Sequence, residues 1–117
     1  MVPRLVAIAG PRKGEVFPLT GEDLSIGRDA SNGLRIRDRS VSRLHCVLSF
    51  EGGQYRIRDL ESRNGVFVND IPVREKELDD GDQIKIGSKK AKRKKIFIGR
   101  RQTSDLYFRF YLFTFPF

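Results

Sequence analysis

Short runs in which apolar and polar residues alternate, broken by turn residues about every 8–12 positions, restrict this chain to a β fold. Leu5-Val6-Ala7-Ile8 and Val16-Phe17-Pro18-Leu19 flank Pro11-Arg12-Lys13-Gly14, which reads as a hairpin turn. Leu24-Ser25-Ile26 runs into Gly27-Arg28, and Leu34-Arg35-Ile36 is a further short strand. Cys46-Val47-Leu48-Ser49-Phe50 and Tyr55-Arg56-Ile57-Arg58 flank the hairpin loop Glu51-Gly52-Gly53-Gln54. Asn69-Asp70 turns Val66-Phe67-Val68 into Ile71-Pro72-Val73, and Gln83-Ile84-Lys85-Ile86 follows the turn Asp79-Asp80-Gly81-Asp82. No extended window repeats at helical spacing, so the expected architecture is an all-β sandwich.

With 117 residues the chain is one domain by size, and 38% apolar with 32% charged residues is ordinary for a soluble globular fold. No apolar run approaches the roughly 18 residues that span a bilayer, and Leu5–Ile8 is too short for a secretory leader. Cys46 is the sole cysteine, which excludes an internal disulfide and fits a reducing, cytoplasmic setting. The net charge of +8 is unevenly spread: residues 89–117 hold nine Lys or Arg against one acid, Asp105, and residues 1–88 are balanced. A binder that uses its whole surface on polyanions carries its charge on the fold itself.

Three polar pieces between the strands hold the chemistry. Gly27 ends a strand and permits a backbone conformation or a close approach that a Cβ would block, and Arg28 stands beyond it with a planar fork that suits two phosphate oxygens. Taken alone, the pair reads first as a solvated surface arginine. Ser40-Val41-Ser42-Arg43-Leu44-His45 precedes an apolar strand, and a serine hydroxyl with loop N–H groups suits an anion. His45 is the chain's one histidine, and a lone histidine beside a loop more often braces it than reacts. Ser62-Arg63-Asn64-Gly65 is a tight turn on local grounds. Its functional reading is that the Asn64 carboxamide, donor and acceptor together, matches a peptide group. Paired carboxylates, a cysteine cluster and a second histidine are lacking, so the inventory suits holding an anion and gives no grounds for catalysis, a metal or a cofactor.

In order and spacing, Gly27-Arg28, Ser42-Arg43-Leu44-His45, Asn64-Gly65 and Asn69 resemble the forkhead-associated (FHA) domain over roughly residues 4–88. Asp38 and Val41, and the run from Leu78 to Gly87, match as well. The resemblance implies a β-sandwich of two sheets with about ten or eleven short strands, whose loops at one end bind phosphothreonine peptides. It implies Arg28, Ser42 and Arg43 on the phosphate, and Ser62, Arg63 and Asn64 on the peptide. Gly27, His45, Gly65 and Asn69 would then support the site. The expected partner is a phosphothreonine-containing protein in signalling, met by a monomer.

After Gly87 the pattern departs from that family. The basic run Lys89–Lys95 is followed by Ile96-Phe97-Ile98 and then by Leu106–Phe117, and six of the nine phenylalanines lie beyond Lys95. The expected division is a binding domain over 1–88 and a basic, then aromatic, tail over 89–117. Ile96–Ile98 or Leu106–Phe113 would supply a closing strand, and the remainder a dimer contact or a membrane-surface contact. Lys89–Lys95 is expected as an exposed loop that adds salt-dependent steering. The alternative function is nucleic-acid binding, since basic residues beside stacking aromatics suit single strands.

Overall fold

The computed structural model describes residues 3–10, 12–87 and 106–112. These form eleven strands. In chain order they are β1 (Arg4–Ala9), β2 (Val16–Pro18), β3 (Leu24–Gly27), β4 (Leu34–Arg35), β5 (Cys46–Glu51), β6 (Gln54–Asp59), β7 (Val66–Val68), β8 (Ile71–Val73), β9 (Glu75–Glu77), β10 (Gln83–Ile86) and β11 (Tyr107–Tyr111). One sheet has the order β2-β1-β11-β10-β7-β8 and the other β4-β3-β5-β6-β9. The pairings are antiparallel apart from β3 with β4. The all-β, two-sheet architecture read from the sequence is the one observed. None of the described residues forms a helix long and apolar enough to cross a membrane.

Alternation explains the layering. Along β1, Leu5 and Ala7 face inward; along β10, Ile84 and Ile86 do, and along β11, Phe108 and Phe110. They meet Ile26, Leu48 and Ile57 of the facing sheet in one continuous core. Strand β9 has no apolar alternation to reveal it, because it is Glu75-Lys76-Glu77. Its position is set instead by charge across the edge of the sheet. Arg56 of β6 lies 3.4 Å from Glu75 and 3.7 Å from Glu77, and Lys76 turns to Asp82 at 3.2 Å. Charged edge strands of this kind resist pairing with other chains.

The latest strand in the sequence fills the middle of its sheet. β11 pairs with β1 through Arg4–Tyr111 and Val6–Arg109, and with β10 through Gln83–Arg109 and Lys85–Tyr107. Without it, β1 and β2 would have no hydrogen-bonded link to β10, β7 and β8. Of the two apolar segments that the sequence leaves open for a closing strand, β11 comes from the longer. Ile96–Ile98 and the Lys89–Lys95 run lie outside the described residues.

Register places the functional loops together. β3 ends, β5 begins and β6 ends at one end of the sandwich, as the pairs Ile26–Cys46 and Cys46–Asp59 require. β7 begins and β10 ends there too, through Val66–Ile86. The paired Arg4 and Tyr111 lie at the opposite end.

Phe108 is fully buried in the central strand. Phe108→Ala is therefore expected to lower the unfolding free energy by about 3–5 kcal/mol, read from urea denaturation. Val16→Ala on an exposed edge should stay within about 0.5 kcal/mol of the wild type. An unchanged midpoint for Phe108→Ala would remove β11 from the centre of the sheet.

Candidate functional site

The loop between β4 and β5 is fixed from below by Val41. Its side chain is fully buried in the core, which turns the flanking Ser40 and Ser42 outward. Asp38 shapes the approach: its carboxylate accepts from the Ser40 N–H at 2.9 Å and from the Ser40 hydroxyl at 2.6 Å. Two glycines let neighbouring backbone come close. A Cβ on Gly27 would collide with the Arg43 carbonyl and stand 2.8 Å from the Asn32 amide nitrogen. On the other side, Gly87 has φ +80°, and a Cβ there would sit 2.7 Å from Ser40 Oγ and 3.0 Å from a Val41 methyl. The loop is thus held between the end of β3 in one sheet and the end of β10 in the other.

His45 joins this loop to the next. The imidazole is fully buried. Nδ1 accepts from the Ser42 N–H at 3.0 Å, so Nε2 carries the proton and donates to the Gly65 carbonyl at 2.9 Å. Both ring nitrogens are committed and the ring is neutral. Burial holds its pKa below the ordinary 6.5, against the opposing pull of the Gly65 carbonyl and the Asp59 charge. His45 is a brace, and no nitrogen is left over for general-base chemistry. Burial likewise keeps the adjacent Cys46 thiol protonated.

The second loop, 60–65, is stitched to the first at two further points. The Arg63 N–H donates to Ser42 Oγ at 2.9 Å, and Asn64 Nδ2 donates to the Ser40 carbonyl at 2.8 Å. The Ser42 hydroxyl accepts internally, which leaves its own proton to point at a ligand. Asn64 retains its carbonyl oxygen and one N–H. Gly65 serves through its backbone, giving its carbonyl to His45 and its N–H to Ser62 Oγ at 3.0 Å.

Arg28 completes the arrangement from the end of β3. Its backbone N–H donates to the Ser42 carbonyl and its Nε to the Val41 carbonyl, both at 2.9 Å. With Nε tied down, the two terminal amines of the guanidinium project as a fixed pair. Arg28, Arg39, Ser40, Val41, Ser42, Arg43 and Arg63 line a recess of about 120 Å³ between the loops. Four arginines and two serines line it, and neither Asp nor Glu does. Such a set receives an anion through charge-assisted hydrogen bonds. Among the described residues no three of His, Cys, Asp and Glu are placed to hold a metal ion.

The structure brings Arg28, Ser42, Arg43 and Arg63 together, with Asn64 beside them and Gly27, His45 and Gly65 beneath. Two expected site residues sit differently. Ser62 spends its hydroxyl inside its own loop, donating to Asp59 and accepting from Gly65, so it shapes the turn. Asn69 lies at the far end of β7. Its amide donates to Asp82 at 2.9 Å and its carbonyl oxygen accepts from the Gln83 N–H at 3.0 Å, so it secures the β7–β8 turn and not the site loops. Three supporting or lining residues went unassigned by sequence reasoning. Arg39 carries no local signal beyond being one more arginine. Gly87 lies in a stretch that matched the family, but its contact with Ser40 is tertiary. Asn32 is buried, with Nδ2 donating to the Asp29 and Arg43 carbonyls, each at 2.8 Å.

Known proteins share this architecture. The FHA domain family profile matches residues 24–87. The glycogen accumulation regulator GarA of Mycolicibacterium smegmatis is 37% identical over 83 residues, which is 71% of this chain and 52% of that protein. The chain spans about half the length of the curated relatives it matches. A solved FHA domain studied for phosphothreonine-dependent interactions superposes with a TM-score of 0.75 at 26% identity, covering 98% of this chain and all of that one. EmbR of Mycobacterium tuberculosis, solved with a low-affinity phosphopeptide, gives 0.71 at 29% identity over 95% of this chain and 24% of its own.

The buried imidazole generates a pH prediction. Its folded pKa lies below the unfolded 6.5, so the unfolded chain binds the proton first as pH falls. Stability is then complete above pH ~6.5 and declines below it, by at most about 1.4 kcal/mol per pH unit. Urea denaturation between pH 7.5 and 5 should show that decline in the wild type. His45→Gln, in the chain's one histidine position, should be less stable at pH 7.5 and lose the slope. A slope that survives the substitution would assign it elsewhere.

Proposed function

The chain belongs to the forkhead-associated family, and from that membership we propose that it acts as a phosphothreonine-dependent peptide-binding module in signalling. The observation that carries the reading is the recess at the loop end of the sandwich, lined by arginines and the Ser42 hydroxyl without a carboxylate among them. Arg28, Ser42 and Arg43 receive the phosphate in this reading. Arg63 and Asn64 flank the peptide, and the free carbonyl oxygen and N–H of Asn64 pair with its backbone. Family resemblance supports phosphothreonine as the residue that carries the phosphate.

The rest of the reading is binding without chemistry. The histidine is consumed by two structural hydrogen bonds and the cysteine is buried, which supports a receptor and not an enzyme. The partner is a protein phosphorylated by a threonine-directed kinase, encountered by a monomer in a reducing compartment such as the cytoplasm. Nucleic acid is the weaker alternative, because the Lys89–Lys95 run on which it depends is separate from the recess in sequence.

Isothermal titration with one phosphothreonine peptide tests these roles. Arg28→Ala should remove measurable binding, at a cost on the order of 2–5 kcal/mol. Arg28→Lys should recover part of it, since an ammonium cannot reproduce the fork. Ser42→Ala should cost roughly 1.5–3 kcal/mol through the lost hydrogen bond to a charged acceptor. Asn64→Ala should weaken binding without changing the demand for phosphate, and also loosen the Ser40 contact. Wild-type affinity from a folded Arg28→Ala protein would displace the site.

A further inference from the structure

The recess holds more positive charge than one phosphate balances. A phosphothreonine carries about −1.5 to −2 at neutral pH, and Arg28, Arg39, Arg43 and Arg63 together present four cations. None of the four has an ion-pair partner among the described residues, whereas Arg12, Arg56 and Lys76 elsewhere on the surface do. The carboxylates nearest in sequence keep their charge but do not line the recess. Asp38 is capped by Ser40 and Asp59 by Ser62. Asp29 is held below the usual carboxylate range first by hydrogen bonds from Ser31 and then by Arg43 and Arg35, and it does not line the recess. The neighbouring groove is different: Arg58, Asp59, Glu61, Arg74 and Glu75 mix signs there. The lining of the recess, by contrast, is of one sign.

Its layout separates the arginines into two groups. Arg28 and Arg43 flank Ser42 and are fixed through backbone bonds at the end of β3. Arg39 and Arg63 stand on either side of the seam where Asn64 and Ser42 stitch the two loops together. Clustered like charges repel, and a ligand of matching charge relieves that repulsion.

We propose that the recess takes a ligand with two anionic groups: a phosphothreonine and, within a residue or two of it, a second phosphate or a carboxylate received chiefly by Arg39 with Arg63. This rests on the phosphothreonine reading given above and specifies the peptide class it selects.

The test uses the full chain and four peptides of one alanine- and glycine-rich sequence: unphosphorylated, singly phosphorylated on threonine, the same with a neighbouring glutamate, and doubly phosphorylated. Titrations are run at one fixed salt concentration, because screening changes the size of the effect. The doubly phosphorylated peptide should bind roughly tenfold tighter than the singly phosphorylated one, the sum of two exposed charge contacts. An equal gain from glutamate identifies carboxylates as a sufficient second anion, and a gain confined to the second phosphate identifies phosphate. Arg39→Gln should shrink the ratio between doubly and singly phosphorylated peptides to within about threefold, and Arg39→Lys should restore most of it. Equal affinity of all three phosphorylated peptides overturns the proposal while leaving phosphothreonine recognition standing. An undiminished ratio in Arg39→Gln also overturns it, by removing the residue assigned to the second anion. Binding that ignores phosphorylation altogether overturns the phosphothreonine reading and this proposal with it.

Discussion

A neutral imidazole with no solvent contact couples the two loops that make the site. His45 receives the Ser42 N–H on one nitrogen and gives the proton on the other to the Gly65 carbonyl. An aliphatic side chain of the same size would leave both backbone groups buried and unpaired, at about 1–3 kcal/mol each. A protonated imidazole would confront the Ser42 N–H with a second donor. The placement of Ser42, and with it the Arg63 N–H that Ser42 Oγ receives, therefore depends on one ring keeping one protonation state. That is a structural use of a residue better known for titrating at this pH.

The sandwich supplies what the imidazole needs. Val41 sinks into the core and fixes the height of the loop, while Gly27 and Gly87 remove the side chains that would hold the sheets' ends away from it. Backbone amides and carbonyls then meet at hydrogen-bonding distance across the gap, and Arg28 is oriented by two carbonyl–donor contacts with residues 41 and 42. In the proposed site Arg28, Ser42 and Asn64 are thus held by backbone contacts before any ligand arrives, which limits the ordering cost of binding. Four guanidinium groups in one small recess oppose folding by mutual repulsion. Their retention is intelligible if the natural ligand is strongly anionic.

Much of this was legible in the residues. Alternation located the apolar strands, and the sandwich followed because half-buried strands must pack face to face. β9 escaped because Glu75-Lys76-Glu77 has no apolar member, and it pairs with β6, where Arg56, remote in sequence, meets Glu75 and Glu77. Arg28, Ser42 and His45 were legible as a motif. Arg39 was not, since only the fold brings it to the same recess. Asn69 and Ser62 fall within the matched stretch, yet their side chains are engaged elsewhere. A motif records which residue types recur along a chain, whereas strand β7 separates Asn69 from Gly65 along the length of the sheet. Gly87 and Asn32 act by close tertiary approach, which spacing along the chain does not encode.

The central claim is that the recess between the two stitched loops receives the phosphate. A crystal structure of the chain with a phosphothreonine peptide tests it most directly. The account predicts the phosphate oxygens within hydrogen-bonding distance of the Arg28 guanidinium and Ser42 Oγ, with His45 still bonded to Ser42 and Gly65. A phosphate seated anywhere else on the sandwich, with the recess empty, would contradict it.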